Sequence, residues 1–209
     1  MGYKVTTGIF RIIDQGIVQE LAVHSTCLEL CIPTGDYEKN AQLLIDIQAV
    51  FKHDHNHLEV REDKRTPVRI HTGSLDIPLK DIPKRDIKSL ENIEVDYEEK
   101  RGGDKSERQA VSPGALYIYF HELFIETHIR FVYVKKGVFL VHMHGETEFG
   151  KVFEITQNIP LQVTISSFDI KKKSKKEMLL LFKTYFDTGD FELQWKEENN
   201  DVYLNAIVP

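Results

Sequence analysis

Two consecutive strand-like segments carry side chains that could bind a metal, spaced at alternate positions. Glu126 and His128 lie on the first segment, and His144 and Glu146 lie on the second. A Lys-Lys-Gly turn at positions 135–137 separates them, and it predicts a hairpin in which His128 faces His144 and Glu126 faces Glu146. Opposed Cβ atoms lie about 5 Å apart, so two imidazoles and two carboxylates could converge on one transition metal. These four residues are the candidate metal ligands.

The predicted hairpin also has a simpler explanation, because any half-buried hairpin needs a polar outer face. Arg130 and His142 complete that polar face. The opposite face is apolar and predicts the core side: Ile125, Ile129, Phe131, Tyr133, Phe139, Val141 and Met143. Arg130 places positive charge where a cation would have to sit. We therefore expect the polar face to contact solvent or a partner, and we expect no cofactor.

Aromatic residues are concentrated just before the hairpin, at strand positions. Tyr117, Tyr119, Phe120 and Phe124, together with Arg130, are the candidate partner-binding residues. Tyr, Phe and Arg are enriched in the cores of protein interfaces, and no serine or cysteine nucleophile accompanies the hairpin histidines. The sequence therefore favours a non-catalytic protein-interaction module, which would be an inhibitor, an immunity-type binder or a component of a multiprotein assembly. The alternative is a metal-dependent hydrolase or nuclease that uses the His/Glu cluster.

Three further motifs have the spacing of a functional site without its chemistry. The segment 145–151 has the glycine and lysine spacing of a phosphate-binding loop, but Val152 stands where a hydroxyl would hold magnesium. Residues 98–100 resemble half of a nuclease metal site and run directly into a highly polar stretch. The alternating histidines at 53, 55 and 57 follow a predicted helix, which indicates an exposed loop.

The composition excludes several classes of protein. Of the 209 residues, 41% are hydrophobic and 29% are charged, as in ordinary globular proteins. The net charge of −6 and a single lysine cluster at 171–176 argue against a nucleic-acid partner. Apolar runs such as 178–182 are far shorter than the roughly 20 residues that span a bilayer. We therefore expect another protein as the partner, and neither nucleic acid nor a membrane.

The cysteines predict a reducing compartment. Cys27 and Cys31 lie four positions apart on an extended segment, which separates them by roughly 13 Å, too far for a disulfide. The chain contains no N-glycosylation acceptor, and its first residues alternate like a strand rather than forming an apolar leader. A cytoplasmic location follows from this interpretation.

The pattern of apolar residues and turns predicts that these residues are positioned by an α+β fold. The fold would be mostly antiparallel β-sheet, in hairpins and a meander, with two main amphipathic helices. The first helix is predicted from Asp36 to Lys52, on the apolar stripe Tyr37, Ala41, Leu44, Ile45, Ile47 and Phe51. The second begins at a capping box formed by Ser174 and Glu177. A meander is predicted over 116–168, with a turn at 158–160, and a C-terminal hairpin over 191–208.

The polar stretch 98–114 is the one candidate boundary within the chain. It has almost no apolar residues to anchor it, which predicts a mobile loop or linker. It would separate an N-terminal ββα-containing part, 1–97, from a β meander with a helix and a hairpin, 115–209. The alternative is a single domain over 1–209.

Overall fold

The computed structural model describes residues 8–33, 40–52, 67–72, 75–78, 82, 87–98, 114–118, 120–135, 137–166, 174–198 and 201–207. The predicted linker therefore lies outside the described residues apart from its two ends, and the histidines at 53, 55 and 57 lie outside them entirely. None of the helices in these ranges is long and apolar enough to cross a membrane.

Strands dominate the described part of the chain. In order they are β1 (Ile9–Asp14), β2 (Ile17–Pro33), β3 (Asn40–Phe51), β4 (Pro67–His71), β5 (Leu75–Pro78), β6 (Glu94–Glu98), β7 (Ala115–Tyr117), β8 (His121–Lys135), β9 (Val138–Thr147), β10 (Val152–Ser166), β11 (Glu192–Glu198) and β12 (Asp201–Ile207). One α-helix, α1, spans Lys175–Tyr185, and two short 3-10 turns span Ile87–Asn92 and Thr188–Asp190. The fold class is therefore mostly β.

Three long strands connect two sheets. The first sheet has the order β2-β1-β10-β9-β8-β6. The second has the order β11-β12-β10-β2-β3-β4-β7-β8, and β5 also pairs with β3. All of these pairs are antiparallel except β2 with β10. Because β2, β8 and β10 belong to both sheets, strands from the two predicted parts of the chain are direct neighbours.

Strand β10 passes from one sheet to the other at a proline. Pro160 is opposite Val138 of β9, whereas the next residue, Leu161, is opposite Leu28 of β2. The prediction of a turn at 158–160 is therefore wrong, because the strand continues through it. A proline lacks the N–H that a central ladder needs, so it is tolerated where the pairing partner changes.

A single apolar cluster joins the inner faces of both sheets. Its largest fully buried side chains include five phenylalanines: Phe10, Phe124, Phe139, Phe153 and Phe182. Burying one such side chain stabilises a fold by about 1.5–3 kcal/mol. Six of the seven residues of the apolar hairpin face predicted above belong to this cluster or pack against it, and Ile129, Phe131 and Met143 are almost completely buried. Ile125 is the exception, since it is half-buried outside the cluster.

The predicted helix from Asp36 to Lys52 is wrong. Residues 40–51 form β3, which pairs with β2 on one side and with β4 and β5 on the other. Its buried side chains alternate strictly: Ala41, Leu43, Ile45, Ile47, Ala49 and Phe51. Several of these residues also fit a helical stripe, but alternation and β-branched isoleucines favour a strand once neighbours are available on both sides. The α+β class with two main helices is thereby corrected.

The second predicted helix is confirmed as α1. Ser174 is its N-cap, and the reciprocal hydrogen bonds between Ser174 and Glu177 form the expected capping box. Met178 and Phe182 are completely buried on its inner face. The helix ends at Tyr185, because Phe186 adopts an extended conformation.

Candidate functional site

The hairpin of β8 and β9 has the predicted register. His128 is opposite His144, Arg130 is opposite His142, and Glu126 is opposite Glu146. Gly137 has a positive φ of 65°, as a tight turn with a left-handed glycine requires. At the turn itself the register shifts between Tyr133 and Lys135, so that Lys135 faces Val138. The shift is a bulge at the end of the strand and leaves the polar face intact.

Two further strands extend this polar face. On one side β6 places Asp96 opposite His128 and Glu94 opposite Arg130. On the other side β10 places Glu154 opposite His144 and Thr156 opposite His142. We call the outer face of β6, β8 and β9 the histidine face. Asp96 of this face is 32 residues distant from His128 in sequence, so no local pattern indicates it.

His128 is the most constrained side chain of the histidine face. Its Nδ1 lies 2.6 Å from Asp96 Oδ1, and its Nε2 lies 2.9 Å from Glu126 Oε1. The hydrogen bond to Asp96, followed by that to Glu126, raises the pKa of His128 above its usual range. A carboxylate only accepts, so both bonds form together only when the imidazole carries two protons. The geometry thus favours an imidazolium.

The neighbouring groups of the histidine face are less strongly held. The ring of His144 stacks on that of His128, with centroids 4.6 Å apart and 20° between the planes. His142 Nδ1 lies 3.2 Å from Thr156 Oγ1. Arg130 Nε lies 3.7 Å from Glu94 Oε1, and both side chains are mostly exposed. An exposed pair at this distance contributes little to stability.

A shallow pocket of about 440 Å³ opens on this face. Its polar lining consists of Glu94, Asp96, His128, Arg130, His142 and His144. Among the residues that the structure describes, no group of three or more His, Cys, Asp or Glu is arranged to hold a metal ion. His128 has no nitrogen free for a metal, since each already contacts a carboxylate.

A second feature is a group of exposed apolar side chains at the end of the same hairpin. Phe120, Leu123 and Phe149 are 54%, 46% and 61% exposed. The rings of Phe120 and Phe149 meet edge to face, with centroids 5.7 Å apart. We call these three residues the aromatic tip. Exposed apolar residues that occur singly are ordinary, whereas adjoining ones indicate an interaction surface.

The aromatic tip rests on a buried ion pair. Glu122, whose side chain is 2% exposed, contacts Lys151 Nζ and accepts a hydrogen bond of 2.9 Å from Thr147 Oγ1. The same ammonium group lies 6.0 Å from the centre of the Phe120 ring. A cation at this distance is attracted to the face of an aromatic ring. The ion pair therefore helps to fix the position of Phe120.

Phe149 projects from a tightly bonded turn. Gly150 N donates to Thr147 O at 2.8 Å, and Thr147 N donates to Lys151 O at 2.9 Å. Glu148 joins this turn to β8, because its N donates to Leu123 O and its carboxylate accepts from Leu123 N. The turn thus fixes the backbone that carries Phe149.

The other predicted partner-binding residues are dispersed. Tyr117 is half-buried, and its hydroxyl lies 2.8 Å from His121 Nδ1. Tyr119 lies outside the described residues. Phe124 is 1% exposed and packs on Phe153 with ring centroids 4.5 Å apart, so it belongs to the core. Arg130 is exposed on the histidine face. Only Phe120 of the five belongs to the aromatic tip.

Sequence reasoning missed Leu123, Phe149 and Asp96. For Phe149 a signal existed, since a large apolar residue beside Gly150 in a turn has no strand face to occupy. For Leu123 alternation was misleading, because it places Leu123 on the core side with Ile129 and Phe131, and the side chain is outward only because the register shifts between Phe124 and Glu126. Asp96 carried no such signal, because only the pairing of β6 with β8 brings it to His128.

Both cysteines are free and lie half-buried on β2. Burial is the main reason that the pKa of Cys27 is raised to about 11 and that of Cys31 to about 12, and the nearby Glu29 carboxylate adds to both shifts. Thiols with such values stay protonated at neutral pH, which makes them poor nucleophiles and poor metal ligands.

Comparisons with known proteins found no match for this chain. No family model, no curated protein and no solved structure is significantly similar to it.

Proposed function

We propose that this protein is a non-catalytic interaction module that binds a partner protein through the aromatic tip. It would act as an inhibitor, as an immunity-type binder or as a component of a larger assembly. The observation that carries the proposal is the exposed contact between Phe120 and Phe149, beside Leu123, on a hydrogen-bonded turn. Aromatic anchors held in place before binding are the usual centres of protein interfaces.

The charges around the aromatic tip indicate the chemistry of the partner. Glu148 lies within the tip's own turn and is exposed, and Glu126 and Glu146 follow along the hairpin. Lys151 is only 16% exposed, and its charge is already paired with Glu122. A partner with an apolar pocket and a basic rim would complement this surface, and the net charge of −6 favours its approach.

The alternative function, a metal-dependent hydrolase or nuclease, has less support. It requires Glu126, His128, His144 and Glu146 to share a metal. His128 already directs one nitrogen to Asp96 and the other to Glu126. A metal would therefore have to displace a proton and a hydrogen bond, with the Arg130 guanidinium close by. The interaction module needs no such rearrangement.

Site-directed photo-cross-linking followed by affinity measurement tests the proposal. A photoreactive phenylalanine analogue replaces Phe149 in the full chain, and a matched protein carries it at Leu180, which is 68% exposed on α1. A protein captured in source cells from position 149 and not from position 180 is purified as the partner. Its affinity for the unlabelled chain and for the Phe149→Ser and Leu180→Ser variants is then measured by calorimetry.

We expect Phe149→Ser to weaken the complex about 30-fold or more, the loss typical of an interface hot spot. Leu180→Ser should leave the affinity unchanged. Both variants should unfold within about 0.5 kcal/mol of the wild type, because the altered side chains are exposed. Equal affinity of the Phe149→Ser variant and the wild type would contradict the proposal, as would cross-linking that does not distinguish the two positions.

We also infer that the module acts in the cytoplasm. The support is the pair of free thiols at Cys27 and Cys31, which a reducing compartment would preserve.

A further inference from the structure

Strand β6 has an unusual position at the margin of the first sheet. Among the strands that the structure describes, it pairs only with β8, through residues 94–98. Among the described side chains of β6, Val95 packs against the core cluster. Of the β6 side chains that the structure describes, Asp96 contacts His128 and Glu94 contacts Arg130 across the outer face. Strands at the margin of a sheet open more readily than central ones.

We propose that His128 is a proton-dependent latch that holds strand β6 on the first sheet. As an imidazolium, His128 donates to Asp96 of β6 and to Glu126 of its own strand at the same time. As a neutral imidazole it has one N–H and can keep only one of these two bonds. When His128 loses a proton, it therefore loses either the hydrogen bond to Asp96, which connects the two strands, or the hydrogen bond to Glu126, which orients the ring.

The surrounding charges strengthen this dependence. Among the side chains that the structure describes, the titratable and charged groups that face His128 are Glu94 and Asp96 from β6, Glu126 and Arg130 from β8, and His142, His144 and Glu146 from β9. Four of them are carboxylates, and Arg130 is the one permanent cation of the set. When His128 is neutral, Asp96 therefore faces an acidic surface across the strand boundary, and the repulsion acts to separate β6 from β8.

The direction of the pKa shift of His128 determines the pH range over which the latch acts. Because the carboxylate bonds raise the pKa of His128 above its unfolded value of 6.5, the latch is fully engaged below that value. It is released as the pH rises through the raised pKa. The effect is local, since the side chain of His128 is 36% exposed and that of Asp96 is 73% exposed. We expect the opening of β6 to increase about two- to fivefold, the range of a partly exposed ion pair.

Two measurements on the full chain test the latch. The first is an NMR titration of the His128 ring in the wild type and in the Asp96→Asn and Glu126→Gln variants. Glu154→Gln is the control, because Glu154 faces His144 from the opposite side. The titration midpoint of His128 should fall in the two variants and stay constant in the control. An unchanged midpoint in both Asp96→Asn and Glu126→Gln would overturn the proposal.

The second measurement is amide hydrogen exchange of residues 94–98 at about pH 6 and about pH 8.5, corrected for the intrinsic exchange rate. In the wild type, protection should fall about two- to fivefold between the two values, while that of Ile155 and Ile159 in β10 stays constant. His128→Gln should abolish the difference. The latch is refuted if the wild type shows no difference, or if the difference persists in His128→Gln.

Discussion

Lys151 and Glu122 show how a buried charge is used in this molecule. The side chains are 16% and 2% exposed, and Thr147 satisfies the second carboxylate oxygen of Glu122. Asp14 lies 3.9 Å from the same ammonium group. Taking both charges out of water is costly, so such a pair contributes little net stability, yet losing one partner leaves an uncompensated charge. The pair lies directly beneath Phe120, and its integrity therefore matters for the aromatic tip.

Replacing Lys151 with methionine should destabilise the protein by about 3 kcal/mol, because the Glu122 carboxylate would remain buried without its cation. Urea denaturation measures the free energy of unfolding. The double variant Lys151→Met with Glu122→Gln should recover most of the loss, since no buried charge remains. Lys175→Met is the control, because Lys175 pairs with Glu197 on an exposed surface. A loss below about 1 kcal/mol for Lys151→Met would show that the pair is not buried in solution.

Helix α1 is the element whose sequence and structure agree most closely. Its start is specified by the Ser174 and Glu177 capping box, and its inner face by Met178 and Phe182. Phe182 also meets Phe186 and Phe191, with ring centroids 5.3 and 5.5 Å away. The helix therefore attaches to the rest of the molecule through aromatic packing.

Phe182→Ala should destabilise the fold by about 3–5 kcal/mol, because it leaves a cavity in that aromatic cluster. Leu180→Ala is the matched control on the same helix, since Leu180 is 68% exposed, and it should change the free energy of unfolding by less than about 0.5 kcal/mol. Chemical denaturation of both variants provides the comparison. Similar midpoints for the two would show that the inner face of α1 does not contribute to the core.

At the scale of the whole molecule, the two sheets share strands β2, β8 and β10. Each of these strands pairs with neighbours in both sheets, and the core residues of both sheets form one cluster. Strands that precede and follow the predicted linker are thereby interleaved. Parts connected in this way cannot lose their pairing independently, which favours a single cooperative transition.

Urea unfolding should therefore occur in one transition when different probes are compared. Trp195 is the single tryptophan, and its fluorescence reports on β11 in the second sheet. The ring signals of His128 and His144 report on the first sheet by NMR. Their midpoints should coincide with each other and with the loss of far-ultraviolet circular dichroism. Separate midpoints for Trp195 and the histidines would show that the two parts unfold independently.

The sequence by itself determined the features that depend on neighbours along the chain. The hairpin register of β8 and β9 follows from the turn at Gly137, and the start of α1 follows from Ser174 and Glu177. The tertiary structure decided whatever depends on distant segments. Residues 40–51 became a strand because β2, β4 and β5 offered backbone partners to a pattern that also fits a helix.

The candidate sites also combine features that the sequence predicts with features that only the tertiary structure sets. The polar face of the hairpin could be written down from alternation alone, since side chains on a strand point to opposite sides in turn. Asp96, whose hydrogen bond raises the pKa of His128, comes from β6. The contact between Phe120 and Phe149 joins two separate turns. Such contacts form only when the backbone pairing of remote strands brings the side chains together, so the tertiary structure, and not any local pattern, created both the latch and the aromatic tip.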